Sequence, residues 1–143
     1  SQRFALEPDL EAIHWLRAHV AGTPVIAEAH RPEYRWGARI SVHTGLPTIL
    51  GWRHHQGQQR TFLPGSTLRQ RMDDISTLYA SPDRAAAQRI IDRYNVDYVY
   101  VGPLERATYP AEGLAKFHAS ADWPPVYDRN GVTILRVRRR AAP

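Results

Sequence analysis

Apolar residues recur at Leu10, Ile13, Leu16 and Val20, the three-and-four spacing of a helix face, with Trp15 beside them. Asp9 stands where an N-cap belongs, Glu11 falls early, and Arg17 and His19 fall late, as the helix dipole favours. The pattern predicts a helix over residues 10–20, stopped by Gly22. Pro24-Val25-Ile26-Ala27 then reads as a short buried strand. Helical spacing returns over residues 36–44 and ends at Gly45, a good left-handed cap, before a second strand at Pro47-Thr48-Ile49-Leu50. Strand, helix and strand thus succeed one another within roughly the span of one βαβ unit.

Farther along, Leu68, Met72, Ile75 and Leu78 or Tyr79 share one face of a predicted helix over residues 66–79. The next helix start has Ser81 as N-cap, Pro82 at the first helical position and Asp83 beside it; this helix runs to about Tyr94 and ends at Asn95. Asp97-Tyr98-Val99-Tyr100-Val101 is the clearest strand, closed by Gly102-Pro103, and a short helix is predicted over residues 111–119. Val126-Tyr127-Asp128-Arg129 and residues 132–137 flank Asn130-Gly131, the dipeptide that suits a type I′ hairpin turn. Together these elements predict one α/β domain over residues 1–143: a layered fold with a mixed, mainly parallel sheet, flanking helices and a C-terminal β-hairpin.

Composition refines this picture in three ways. A hydrophobic share of 43% with 23% charged residues is that of a folded globular chain. The sequence opens Ser1-Gln2-Arg3 and holds one methionine, Met72, so it reads as a piece of a longer protein or a processed product. The formal charge of +5 rests on eighteen arginines and one lysine, Lys116; the arginines are spread along the chain apart from Arg136, Arg138, Arg139 and Arg140. That dispersal argues against nucleic acid as a partner. Zero cysteines exclude disulfides and thiolate metal sites.

Candidate chemistry concentrates in residues 28–60. Glu28, at the end of a predicted strand, precedes Tyr34, Arg35, Trp36, Gly37 and Arg39. A carboxylate facing an arginine there can hold a sugar hydroxyl or a metal; equally, a Glu28–Arg35 or Glu28–Arg39 ion pair orders the loop, with Trp36 as a core plug. On a helix, Trp52, His55 and Gln59 would share one face, with Arg60 next in sequence; an aromatic ring, an imidazole and an amide suit stacking and hydrogen bonding to a sugar or headgroup. His54-His55, with His43 or His30, lacks the spacing of a metal site, since adjacent helical side chains point about 100° apart. Asp73 and Asp74 diverge for the same reason. Gly102-Pro103-Leu104-Glu105-Arg106, after the best strand, is a candidate ligand loop, whereas Tyr94, Tyr98 and Tyr100 read as packing. Neither phosphate-binding glycine pattern and no nucleophile elbow occurs, so no catalytic residue, cofactor or metal is assigned.

Several of these segments, in order, carry a resemblance. Ala12-Ile13-His14-Trp15-Leu16-Arg17, Pro24-Val25-Ile26-Ala27-Glu28-Ala29, Tyr34-Arg35-Trp36-Gly37, Arg39-Ile40-Ser41, Thr44-Gly45-Leu46-Pro47-Thr48, Gly51-Trp52-Arg53-His54-His55 and Gln58-Gln59-Arg60 resemble the C-terminal soluble region of the polytopic YYY membrane proteins. So do Tyr98-Val99-Tyr100-Val101-Gly102 and Leu104-Glu105-Arg106. That family is grouped with membrane glycosyltransferases of the GT-C architecture. A more distant similarity links Trp15-Leu16 and Tyr34-Arg35-Trp36-Gly37 to the soluble domain of oligosaccharyltransferase catalytic subunits, whose Trp-Trp-Asp-Tyr-Gly motif sits at a comparable place. This chain has no Asp before its aromatic–Gly pair, so only position and fold plan carry over. The resemblance implies an extracytoplasmic accessory domain of a GT-C-like membrane protein, inactive alone. Its partners would be the transmembrane part of its own parent chain and a glycan or lipid-linked acceptor. A structural or interaction module without ligand and a freestanding sugar-phosphate enzyme are the alternatives.

Overall fold

The structure is a computed structural model; it describes residues 6–20, 22, 24–29, 48–49, 65–118 and 121–138. Its elements are α1 (Leu6–His19), β1 (Val25–Ala27), α2 (Gly65–Ala80), α3 (Arg84–Tyr94), β2 (Val96–Val101), α4 (Pro103–Thr108), α5 (Ala111–Ala115) with a 3-10 turn Lys116–His118, β3 (Pro125–Arg129) and β4 (Val132–Arg136). The sheet order is β1-β2-β4-β3. β1 and β2 are parallel, with Ile26 opposite Tyr98 and Ala27 opposite Val99. β2–β4 and β3–β4 are antiparallel. Beyond β1, Thr48 forms a parallel bridge to Ile26, at the position of the predicted second strand. A layered α/β domain with a mixed sheet and a C-terminal hairpin is therefore what the chain adopts.

Strand alternation divides the core in two. Val99 and Val101 of β2 join Val25, Ala27, Leu135 and Val137 in a cluster with Ile75, Leu78 and Tyr79 of α2 and Ala87, Ile90, Ile91 and Tyr94 of α3. Phe117 and Trp123 belong to the same cluster. Tyr100, Ile26, Val132 and Ile134 point the other way, onto Ala12, Ile13 and Leu16 of α1, with Tyr98 packed alongside. The tyrosines at 98 and 100 are thus packing residues, as the sequence suggests.

Local chemistry sets the boundaries. Asp83, not Ser81, caps α3: its carboxylate accepts from the Ala85 N–H at 3.0 Å, while the Ser81 hydroxyl accepts from the Asp83 N–H. Asn95 closes α3 in the left-handed region, φ 53°. Asn130 and Gly131, at φ 52° and 82°, make the turn that the hairpin dipeptide predicts. In α1 the expected apolar stripe is displaced: Leu10 is 41% exposed, and the buried positions are Asp9, Ala12, Ile13 and Leu16. The helix also begins earlier, so Asp9 lies inside it rather than capping it. α4, absent from the sequence-based expectation, follows directly on β2. The predicted helix over residues 36–44 lies outside the described residues.

Two contacts weld the helical layer. Asp74 of α2 accepts from the Tyr94 hydroxyl at 2.5 Å, from Arg93 at 3.0 Å and from Gln70 at 3.0 Å, joining α2 to α3; Asp73 beside it is exposed. At Gly113, an added Cβ would come within 2.3 Å of the Ala80 carbonyl oxygen and 2.4 Å of that of Tyr79, so α5 sits directly on the end of α2. Buried Lys116 reinforces the seam, donating to the carbonyls of Gly113 at 2.8 Å and Tyr79 at 3.3 Å.

Gly113→Ala should therefore cost about 3 kcal/mol, read as a lower denaturation midpoint at unchanged m-value, because backbone cannot yield as a side chain does. Burial lowers the Lys116 pKa from 10.5 to about 8. Between those values the unfolded chain holds a proton that the folded chain has released, so stability rises with pH. Tyr94, raised from 10.0 to about 12 by burial and by Asp74, acts oppositely above pH 10. Thermal melts from pH 8 to 10 should show the native chain gaining stability relative to Lys116→Met. Parallel pH profiles for the two chains would count against this assignment.

Candidate functional site

β1 and β2 run parallel, and both carboxyl ends open at the same edge of the sheet, where open α/β sheets place their ligands. Glu28 and Ala29 leave β1 there, and Gly102 leaves β2. Pro103 at the first turn of α4 fixes the backbone for helix entry, and Glu105 falls three residues after Gly102, at capping-box spacing. Its carboxylate reaches back to accept the Gly102 N–H at 2.8 Å. The other carboxylate oxygen accepts the Ala29 N–H, also at 2.8 Å. Glu105 is fully buried, so both bonds lie in a low-dielectric setting.

A second buried acid lies against the same edge. Asp9 of α1 accepts the Tyr100 hydroxyl, and the Tyr100 carbonyl accepts the Tyr79 hydroxyl at 2.8 Å. The Cβ position of residue 102 lies 2.9 Å from the Tyr100 ring, 3.0 Å from Asp9 Oδ1 and 3.5 Å from Glu105 Oε1, so only glycine fits there. Around this edge are three acids, Asp9, Glu28 and Glu105, each buried and engaged. Of the three, Glu105 holds backbone N–H groups and Asp9 a tyrosine hydroxyl; among the described residues no group of three His, Cys, Asp or Glu side chains is placed to hold a metal.

Of the residues singled out from sequence, Glu28 is placed at this edge, buried at 6% exposure. Tyr34, Arg35, Trp36, Arg39, Trp52, His55, Gln59 and Arg60 lie outside the described residues. The expected ligand loop at residues 102–106 is instead the first turn of α4, with Glu105 turned inward onto backbone N–H groups. Asp9, Tyr100 and Glu105 are the residues that sequence reasoning did not group. The available signal was the Gly-Pro-x-Glu run, whose spacing is that of a capping carboxylate.

Two surface clefts are lined by described residues. One, of about 570 Å³, is lined by Pro8, Leu10, Glu11, His14 and Asn130, where the Asn130 amide donates to Glu11 at 2.8 Å. The other, of about 360 Å³, lies between α3 and residues 121–123; its wall includes Trp123, whose indole donates to Gln88 at 3.0 Å, and Asp92, which accepts from the same Gln88. Neither cleft is lined by Asp9, Glu28 or Glu105. Gly102→Ala, which drives a methyl group into the buried edge, should destabilise the chain by about 1–3 kcal/mol in urea unfolding, whereas Gly131→Asn at the exposed turn should cost under about 1 kcal/mol.

No protein-family model matches the sequence, and no curated protein matches it. Among solved structures, the fold is similar to the crystal structure of the C-terminal globular domain of an oligosaccharyltransferase, AfAglB-S2, from Archaeoglobus fulgidus. The TM-score is 0.60 at 14% identity, and the match covers 95% of this chain and 100% of that one. The likeness therefore extends over the whole plan of both chains and is one of fold.

Proposed function

We propose that this chain is an accessory domain of a larger GT-C-like membrane glycosyltransferase of the YYY type, lying on the extracytoplasmic face. In this reading it contributes acceptor recognition or docking to the membrane part and performs no chemistry alone. The observation that carries the reading is the end-to-end fold likeness to the C-terminal globular domain of an oligosaccharyltransferase. The order of motifs in residues 12–60 and 98–106 supports it from the sequence side. Among the described residues no helix is long and apolar enough to cross a membrane, so in this reading the spans belong to another part of the parent chain.

The segment that leaves β1 at Glu28 is the recognition element in this account. Glu28 orients polar groups from its buried position, and Arg35, Arg39 and Tyr34 bind acceptor hydroxyls. Trp36 or Trp52 stacks on a sugar or packs against the membrane part, and His55, Gln59 and Arg60 belong to the same candidate set. The burial of Glu28 also favours a second reading, in which the segment is internal polar packing within an interaction module.

The reading frame that encodes this chain should carry on the order of ten apolar spans of about 20 residues each ahead of Ser1. A frame without them defeats the proposal. At the level of contact, Trp36→Ala and Trp52→Ala should each weaken binding of a polyprenyl-phosphate-linked oligosaccharide, titrated against the folded domain, by about tenfold or more. Melting temperature should stay within about 3 °C of native. A loss of several kcal/mol in stability with no binding to lose would instead support the interaction module.

A further inference from the structure

We propose that the cleft between α3 and residues 121–123 binds a monoanionic polyhydroxyl ligand of one-ring size, a hexuronate being the simplest example. This site involves none of residues 28–60 and is independent of the accessory-domain reading.

Helical geometry builds one wall. Ala85, Gln88, Arg89 and Asp92 stand at i, i+3, i+4 and i+7 of α3 and share one face, about 10 Å from end to end. Asp122 and Trp123 complete the lining, and the volume is about 360 Å³. That is near the low end of the ~300–1,000 Å³ range of small-molecule sites, a size that suits a single sugar ring. Trp123 is 1% exposed and packs on Phe117 with ring centroids 5.3 Å apart, so the core fixes it before any ligand arrives.

The polar groups of the lining are ordered through this tryptophan. Trp123 Nε1 donates to Gln88 Oε1 at 3.0 Å, and Gln88 Nε2 donates to Asp92 Oδ1 at 2.9 Å. An indole N–H can only donate and an ionised carboxylate only accept, so the Gln88 amide has one orientation. After these two bonds Gln88 keeps one N–H and one lone pair, and Asp92 keeps its other oxygen. Such groups match ring hydroxyls, which both donate and accept. The buried Trp123 offers no open ring face, so recognition here rests on hydrogen bonds rather than stacking.

The anionic group of the ligand falls to Arg89. It is exposed and has no hydrogen-bond or ion-pair partner among the described residues, whereas Arg84 and Asp122 are engaged. The end of α3 does not compete for this role, because the Asp83 carboxylate already accepts the Ala85 N–H. Arg84 and Arg89 balance Asp92 and Asp122 in formal charge. One carboxylate on Arg89 suits that balance, while a phosphate dianion brings a second negative charge toward two aspartates.

Glucuronate titrated into the isotope-labelled chain should move the Trp123 indole N–H and the Ala85 and Arg89 amides along one saturating, millimolar curve. The Trp15 indole, on the α1 side of the sheet, should stay in place. Arg89→Gln should weaken binding by about fivefold, the upper range for a solvent-facing ion pair, without lowering the melting temperature. Arg69→Gln makes the same charge change on α2, outside the cleft, and should leave binding unchanged. Neutral glucose should bind at least about fivefold more weakly than glucuronate. Equal weakening by the two variants, glucose binding as well as glucuronate, or inorganic phosphate binding more tightly would each overturn the proposal. A Trp123 resonance that stays in place throughout the titration would do the same. A reading frame without membrane spans defeats the accessory-domain reading and leaves this site standing.

Discussion

The satisfaction of backbone N–H groups at the two ends of β1 is the constraint on which the rest of the architecture depends. A buried donor left without an acceptor costs more than a typical bond returns. A three-residue strand has little ladder with which to offset such a loss. Asp97 and Glu105 remove the problem by placing carboxylates at Val25 and Ala29. With β1 held against β2, Ile26 and Ala27 reach opposite faces of the sheet. Both faces can then be covered, by α1 on one side and by α2 and α3 on the other.

Asp9 and Glu105 are therefore structural in their immediate chemistry. Asp9 joins α1 to the Tyr100 hydroxyl, and Glu105 joins two strand exits; neither faces either of the described clefts. Burying a carboxylate costs free energy that hydrogen bonds must offset, and each described partner of Asp9 and Glu105 is a hydroxyl or a backbone N–H. Such a polar cluster defines one geometry of the carboxyl edge more sharply than an apolar plug would. In an α/β domain that edge is where binding segments commonly emerge.

Much of the fold was legible because its signals are local. Alternation in residues 96–101 and the Asn130-Gly131 turn are short-range physics, and both appear as expected. Sequence pattern and structure part where a residue serves two possible roles. Asp9 has the chemistry of an N-cap, yet its partner is a tyrosine 91 residues away, and no local rule carries that information. Leu10 fits a helical stripe by spacing, but the sheet meets α1 along Asp9, Ala12, Ile13 and Leu16, one position around the helix. Glu105 sat in plain view at capping distance from Gly102, while its second bond, to Ala29, is a long-range product of parallel pairing. Of the candidate site, Glu28 alone falls among the described residues, at the predicted strand end.

Denaturant unfolding of Asp97→Asn, Glu105→Gln and the double variant tests the account most directly. Each single change should cost about 1.5–3 kcal/mol, the range for hydrogen bonds to charged groups. The double should approach the sum, since the two bonds lie at opposite ends of the strand and share no described partner. Either single variant matching the native chain in stability would contradict the claim that paired carboxylates hold β1 in the sheet.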